Sequence, residues 1–118
     1  MVAVVVSAAN GCQYCIQHHT EALRHYEKDR GVLQAPGEDY RTANLPSRLQ
    51  TMLDYSMKLT RTPAEMSETD VQSMREKEFT DEQISNITLI AANFNFVNRM
   101  ALGLGVEVTP DEVQGYEV

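Results

Sequence analysis

The 118 residues carry a net charge of -7, with 42% hydrophobic and 23% charged residues. That composition suits one globular domain with a real core; it argues against disorder throughout, and the lack of clustered Lys and Arg argues against a nucleic-acid surface. No apolar run approaches the roughly 20 residues that span a bilayer, and no basic leader with a small-residue cleavage pattern is seen, so a cytoplasmic protein with no membrane partner is expected.

Met1 to Ala9 is apolar apart from Ser7. Its β-branched content reads as a buried strand, while pattern and length leave the end of a buried helix equally open. Asn10-Gly11 breaks the segment. From Cys12 onward Ile16, Leu23 and Tyr26 recur at helical spacing among polar residues, which predicts a helix over about 12–28. Arg30 to Asn44, with Gly31, Pro36 and Gly37, reads as a loop. A second helix is predicted over about 47–60, its apolar side built from Leu49, Met52, Leu53 and Leu59, and Thr62-Pro63 ends it.

A third helix starts at Ser67 or Glu68 and closes at Phe79. Thr80-Asp81-Glu82-Gln83 reads as a capping box, a hydroxyl at the N-cap and a glutamine three residues on. The run Ile84, Ile87, Thr88, Ala91, Phe94, Asn95, Asn98, Leu102 keeps a 3.6-residue period up to Gly103 and Gly105, so the fourth helix is the longest and ends at a glycine cap. The acidic residues from Glu65 to Glu82 read as a solvated face. No hairpin signal follows residue 12, and the chain is all-α with the nature of its first nine residues open.

The chemistry-bearing residues crowd into the first predicted helix. At about 100° per residue Cys12, Cys15 and His19 fall within about 60° of one another, while His18 and His25 point elsewhere. His18 is expected to face solvent or a neighbouring subunit. The first turn of a helix lowers a thiol pKa through its unpaired N–H groups and the helix dipole. Thiols three residues apart can close to a disulfide without unfolding the helix, one reacting and the other resolving, with His19 as base or proton relay.

Three other readings compete. The cysteines could be small buried hydrophobes. A zinc site lacks a fourth ligand. A C-x-x-C after an apolar stretch also imitates a thioredoxin-like module, for which the later helical segments supply no sheet. Neither a metal nor a cofactor is expected.

"SAANGCQYCIQHHTEAL", with "MLDYSMKLT", "FTDEQI" and "AANFNFVNRMALGLGVE" further on, resembles the AhpD-like alkylhydroperoxidases of the carboxymuconolactone decarboxylase family, in their peroxidase-related branch. The resemblance implies an all-α, AhpD-like helical bundle of about four to five helices, oligomerising through helical faces. Met1 to Ala9 is then the tail of a buried helix. Residues 1–118 would form one such domain, the C-terminal part of a longer family member.

The resemblance also implies a thiol-dependent peroxidase: Cys15 attacks the hydroperoxide, Cys12 resolves, and His19 belongs to a proton relay. The reductant would be an external dithiol or thiol protein. The family's glutamate, twelve residues before the first cysteine, falls immediately before Met1. With the family's N-terminal portion missing, apolar surface is expected on Met1 to Ala9 and on the closing helix, and with it a homo-oligomer (dimer, trimer or hexamer). The alternatives are a general thiol-disulfide oxidoreductase and a non-catalytic helical oligomer that keeps its cysteine pair. Decarboxylase chemistry would leave the pair idle.

Overall fold

The structure, a computed structural model, describes residues 1–24 and 44–105; the side chains of His19 and Leu23 lie outside the described residues, as do His25, the predicted end of the first cysteine helix and nearly all of the predicted loop. Five α-helices are described: α1 (Val2–Ala9), α2 (Gln13–Arg24), α3 (Ser47–Arg61), α4 (Glu68–Glu76) and α5 (Asp81–Leu104), with a short 3-10 turn at Pro63–Glu65. No strand occurs among the described residues.

The opening segment is a helix. Four of the eight residues of α1 are valine, each costing up to about 0.7 kcal/mol of helix propensity against alanine. Burying a valine side chain is worth roughly 1.5–3 kcal/mol, and Val4, Val5 and Val6 are 1%, 0% and 0% exposed, so tertiary burial wins. The helix lies against α2, α3 and α5, and Val2, Val5 and Val6 join Leu53 and Ala91 in one cluster. The expectation of exposed apolar surface on this segment therefore fails: its valines are the core.

A second cluster, Tyr55, Met74, Phe79, Ile84 and Ile87, joins α3 to α4 and the start of α5. Lys58 ties the same elements on their polar side, donating to both carboxylate oxygens of Asp70 at 2.9 Å. That hydrogen bond, with the Ser67 N–H and the Lys58 charge, holds the Asp70 carboxyl below its ordinary range. The Asp70 carboxylate also accepts the Ser67 N–H at 2.9 Å, at the N-terminus of α4.

The third helix stops three residues earlier than the sequence predicts. Glu78 adopts φ 66°, and the Glu78 and Phe79 N–H groups bond back to the Arg75 and Met74 carbonyls at 2.9 and 3.3 Å. This is a Schellman ending with Phe79 folding onto Met74, and glycine would be its usual left-handed residue. A left-handed L-residue costs roughly 1–2 kcal/mol, partly offset in glycine by the greater freedom of its unfolded chain. Glu78→Gly is therefore expected to stabilise the fold by about 0.5–1 kcal/mol in urea unfolding; a loss of stability would refute the strain.

Helix α5 has the predicted caps. Thr80 Oγ1 accepts the Gln83 N–H at 3.1 Å, Gln83 Oε1 accepts the Thr80 N–H at 2.9 Å, and Gly105 ends the helix at φ 68°. Its 24 residues make a helix about 36 Å long. One face buries Ile84, Ile87, Ala91, Asn98 and Ala101, while Leu89, Phe96, Met100 and Leu104 stay 50–74% exposed. Among the described residues no helix is long and apolar enough to cross a membrane.

Candidate redox site

The junction of α1 and α2 places the cysteines. Gly11 takes φ 69°, which lets the last turn of α1 close as a Schellman motif: the Gly11 N–H bonds to the Ala8 carbonyl at 3.1 Å and the Cys12 N–H to the Ser7 carbonyl at 3.0 Å. The chain then turns directly into α2. Cys12 stands at the N-cap of α2, and Cys15 in its first turn.

Cys12 and Cys15 form a disulfide, with Cα atoms 5.3 Å apart. The Cys15 backbone N–H donates to Cys12 Sγ at 3.3 Å, so the sulfur fills the acceptor role that a serine or aspartate oxygen has at an ordinary N-cap. Both cysteines are 1% exposed, packed with Ala101 of α5 and against Tyr14. The Cys15 N–H and the positive end of the helix dipole favour a thiolate on Cys12 once the bond is reduced.

Of the three predicted site residues, the structure brings Cys12 and Cys15 into covalent contact. It carries His19 on α2, four residues after Cys15, with its side chain outside the described residues. His18 is a correction. It is 8% exposed rather than solvent-facing, its ring 4.4 Å from that of Tyr14. One turn beyond Cys15, it lies on the side of α2 that turns inward, because the packed face of the helix is wider than the arc that holds the two cysteines. Among the described residues no group of three or more His, Cys, Asp or Glu could hold a metal ion.

A set of polar residues around Asn10 also escaped sequence reasoning. Asn10 Nδ2 donates to Asn95 Oδ1 at 2.9 Å and to Asn98 Oδ1 at 3.0 Å, and Asn98 Nδ2 donates to Ser7 Oγ at 3.0 Å. Their signal lay in the periodicity: Asn95 and Asn98 occupy apolar register positions of α5.

The fold and site together define an all-α protein with a disulfide-bonded cysteine pair at a helix start, and with no strand among the described residues the thioredoxin-like alternative falls away. The model of the carboxymuconolactone decarboxylase family matches residues 1–36. Among solved structures, an uncharacterized peroxidase-related protein from Ralstonia eutropha JMP134, described as an alkylhydroperoxidase AhpD core, is 36% identical with a TM-score of 0.88 over 99% of this chain and 62% of its own. An uncharacterized peroxidase-related protein from Silicibacter sp. TM1040 is 33% identical with a TM-score of 0.91, over 98% of this chain and 61% of its own. A protein of unknown function from Agrobacterium tumefaciens, 22% identical with a TM-score of 0.77, shares the fold over 92% of this chain and 74% of its own. No curated protein matches. The chain thus matches the carboxymuconolactone decarboxylase family over its first 36 residues and shares the fold of AhpD-like, peroxidase-related structures over nearly all of its length. It spans about 62% of the length of the Ralstonia protein.

Proposed function

We propose that the protein is a thiol-dependent peroxidase that reduces hydroperoxides. The carrying observation is the Cys12–Cys15 disulfide at the N-terminus of α2, the oxidised end of the cycle such an enzyme runs. The family supports the same reading, two of the similar structures being peroxidase-related proteins.

In the reduced protein the Cys15 thiolate attacks the distal peroxide oxygen. The O–O bond breaks, the alcohol or water leaves with a proton, and Cys15 becomes a sulfenic acid. Cys12 then attacks that sulfur, forming the disulfide and releasing water. An external dithiol or thiol protein supplies the two electrons that return the pair to thiols. In that step the capped sulfur matters: the Cys15 N–H stabilises a departing Cys12 thiolate, so the incoming thiolate attacks Cys15 and expels Cys12. His19 is assigned the proton relay by the family pattern. Both sulfurs are shut behind Tyr14 and Ala101, which favours small hydroperoxides over bulky ones.

The test is peroxide consumption by the pre-reduced chain with a dithiol donor, read beside the number of free thiols. Stoichiometric loss of two thiols per peroxide is expected. A pair that exchanges with dithiols and ignores peroxide would instead make the protein a general thiol-disulfide oxidoreductase.

Self-association belongs to the same reading. With Leu89, Phe96, Met100 and Leu104 exposed along α5, light scattering at micromolar concentration is expected to give a mass at least twice the 13.3 kDa of the chain. A single species of chain mass would refute it.

A further inference from the structure

We propose that Asn10, Asn98 and Ser7 form a clamp that positions Cys12 for disulfide closure. The inference rests on the cysteine pair cycling between dithiol and disulfide, whatever its oxidant.

The hydrogen-bond polarity of this network is fixed from its ends. Arg99 can only donate, and its Nη1 lies 2.8 Å from Asn95 Oδ1. The Ala91 carbonyl can only accept, and it takes Asn95 Nδ2 at 2.8 Å, with Thr60 Oγ1 at 3.1 Å. Asn95 therefore presents oxygen to Asn10, and Asn10 must answer with its amide nitrogen. The same nitrogen serves Asn98 Oδ1, which leaves Asn98 Nδ2 for Ser7 Oγ. Ser7 and Asn98 are both 0% exposed, so their polar groups have no water to fall back on.

Ser7 carries the connection to the chemistry. Its hydroxyl is held by Asn98 and its carbonyl holds the Cys12 N–H. Asn10, next along the junction, is held by α5 on its own. One turn beyond Asn98 on the same face, Ala101 packs against both cysteines. Helix α5 thus grips the residues before Cys12 with hydrogen bonds and the sulfurs with a methyl group. Holding one reactant in a near-attack geometry raises its effective concentration toward the other. Losing the clamp lets Cys12 wander from Cys15, and the equilibrium moves toward the dithiol.

The test equilibrates the protein with mixtures of reduced and oxidised dithiothreitol, traps free thiols by alkylation and counts them by mass. Asn10→Ala and Asn98→Ala are each expected to shift the equilibrium toward the dithiol by about tenfold. Asn10→Asp keeps the size of the side chain and sets oxygen against two carbonyl oxygens, so it should shift at least as far; wild-type behaviour there would overturn the donor role. Val71→Ala, which loosens the α3–α4 cluster away from α1 and the cysteines, should leave the equilibrium alone. An equal shift in Val71→Ala would reduce the clamp to general stability and overturn it. If Asn98→Ala fails to fold, the two Asn10 variants decide. No peroxide enters the measurement. A clamp effect in a chain that ignores peroxide would sink the peroxidase alone, and unchanged variants in a chain that consumes peroxide would sink the clamp alone.

Discussion

Cys15→Ser is expected to abolish peroxide-driven oxidation, with the rate falling by about 10³-fold or more, since removing a nucleophile that works as part of a unit costs nearly the whole of its catalysis. Cys12→Ser should behave differently. Its Cys15 thiol still attacks peroxide once, and with no resolving thiol the sulfenic acid persists long enough for a dimedone-type probe to label it. The two variants also weigh two physical arguments against each other. The backbone N–H at 3.3 Å favours a thiolate on Cys12. The family pattern assigns the attack to Cys15. These agree if Cys12 uses its stabilised charge as leaving group during reduction rather than as nucleophile toward peroxide, because the thiol with the lower pKa leaves faster and attacks less strongly. Labelling of Cys12 in the Cys15→Ser variant, at a rate near that of the wild type, would reverse the roles.

The division between what the sequence showed and what it hid follows the range of the interactions. The Thr80 to Gln83 capping box and the αL glycine at 105 are local, set by residues three or four apart, and the structure reproduces both. The cysteine pair is equally local. Helix α1 was undecided because four valines argue for a strand, and only contacts with α3 and α5 overrule them. The end of α4 was misplaced because Glu78 adopts a backbone conformation that composition assigns to glycine. The burial of His18 is hidden for a related reason: angle alone does not reveal where the packed side of a helix ends. Least legible was the Asn10 network, whose partners lie 85 and 88 residues away. Periodicity placed Asn95 and Asn98 on the core face of α5, but nothing local says that the polar group they await comes from the turn before Cys12.

For His19 the proposed relay predicts a pH signature that a structural role would not produce. Positioned general-base help is worth about 10²- to 10⁴-fold, so His19→Gln should slow the peroxide oxidation of Cys15 by about 10²-fold at pH 7. Without that help the helix start alone favours the thiolate, and less of the Cys15 thiol is ionised at pH 7. Raising the pH supplies the thiolate directly, and the deficit of His19→Gln should narrow to less than about tenfold by about pH 9. His18 provides the contrast. Buried against Tyr14 on the inward side of α2, it packs the cysteine helix in place, and His18→Gln should lower the unfolding midpoint while leaving the pH profile of the surviving activity unchanged in shape. The measurement is stopped-flow thiol oxidation from pH 6 to 9, with folding of each variant verified by circular dichroism. A deficit in His19→Gln that stays constant across that range would remove His19 from the relay, and a pH-dependent deficit in His18→Gln would move the role one residue back along α2.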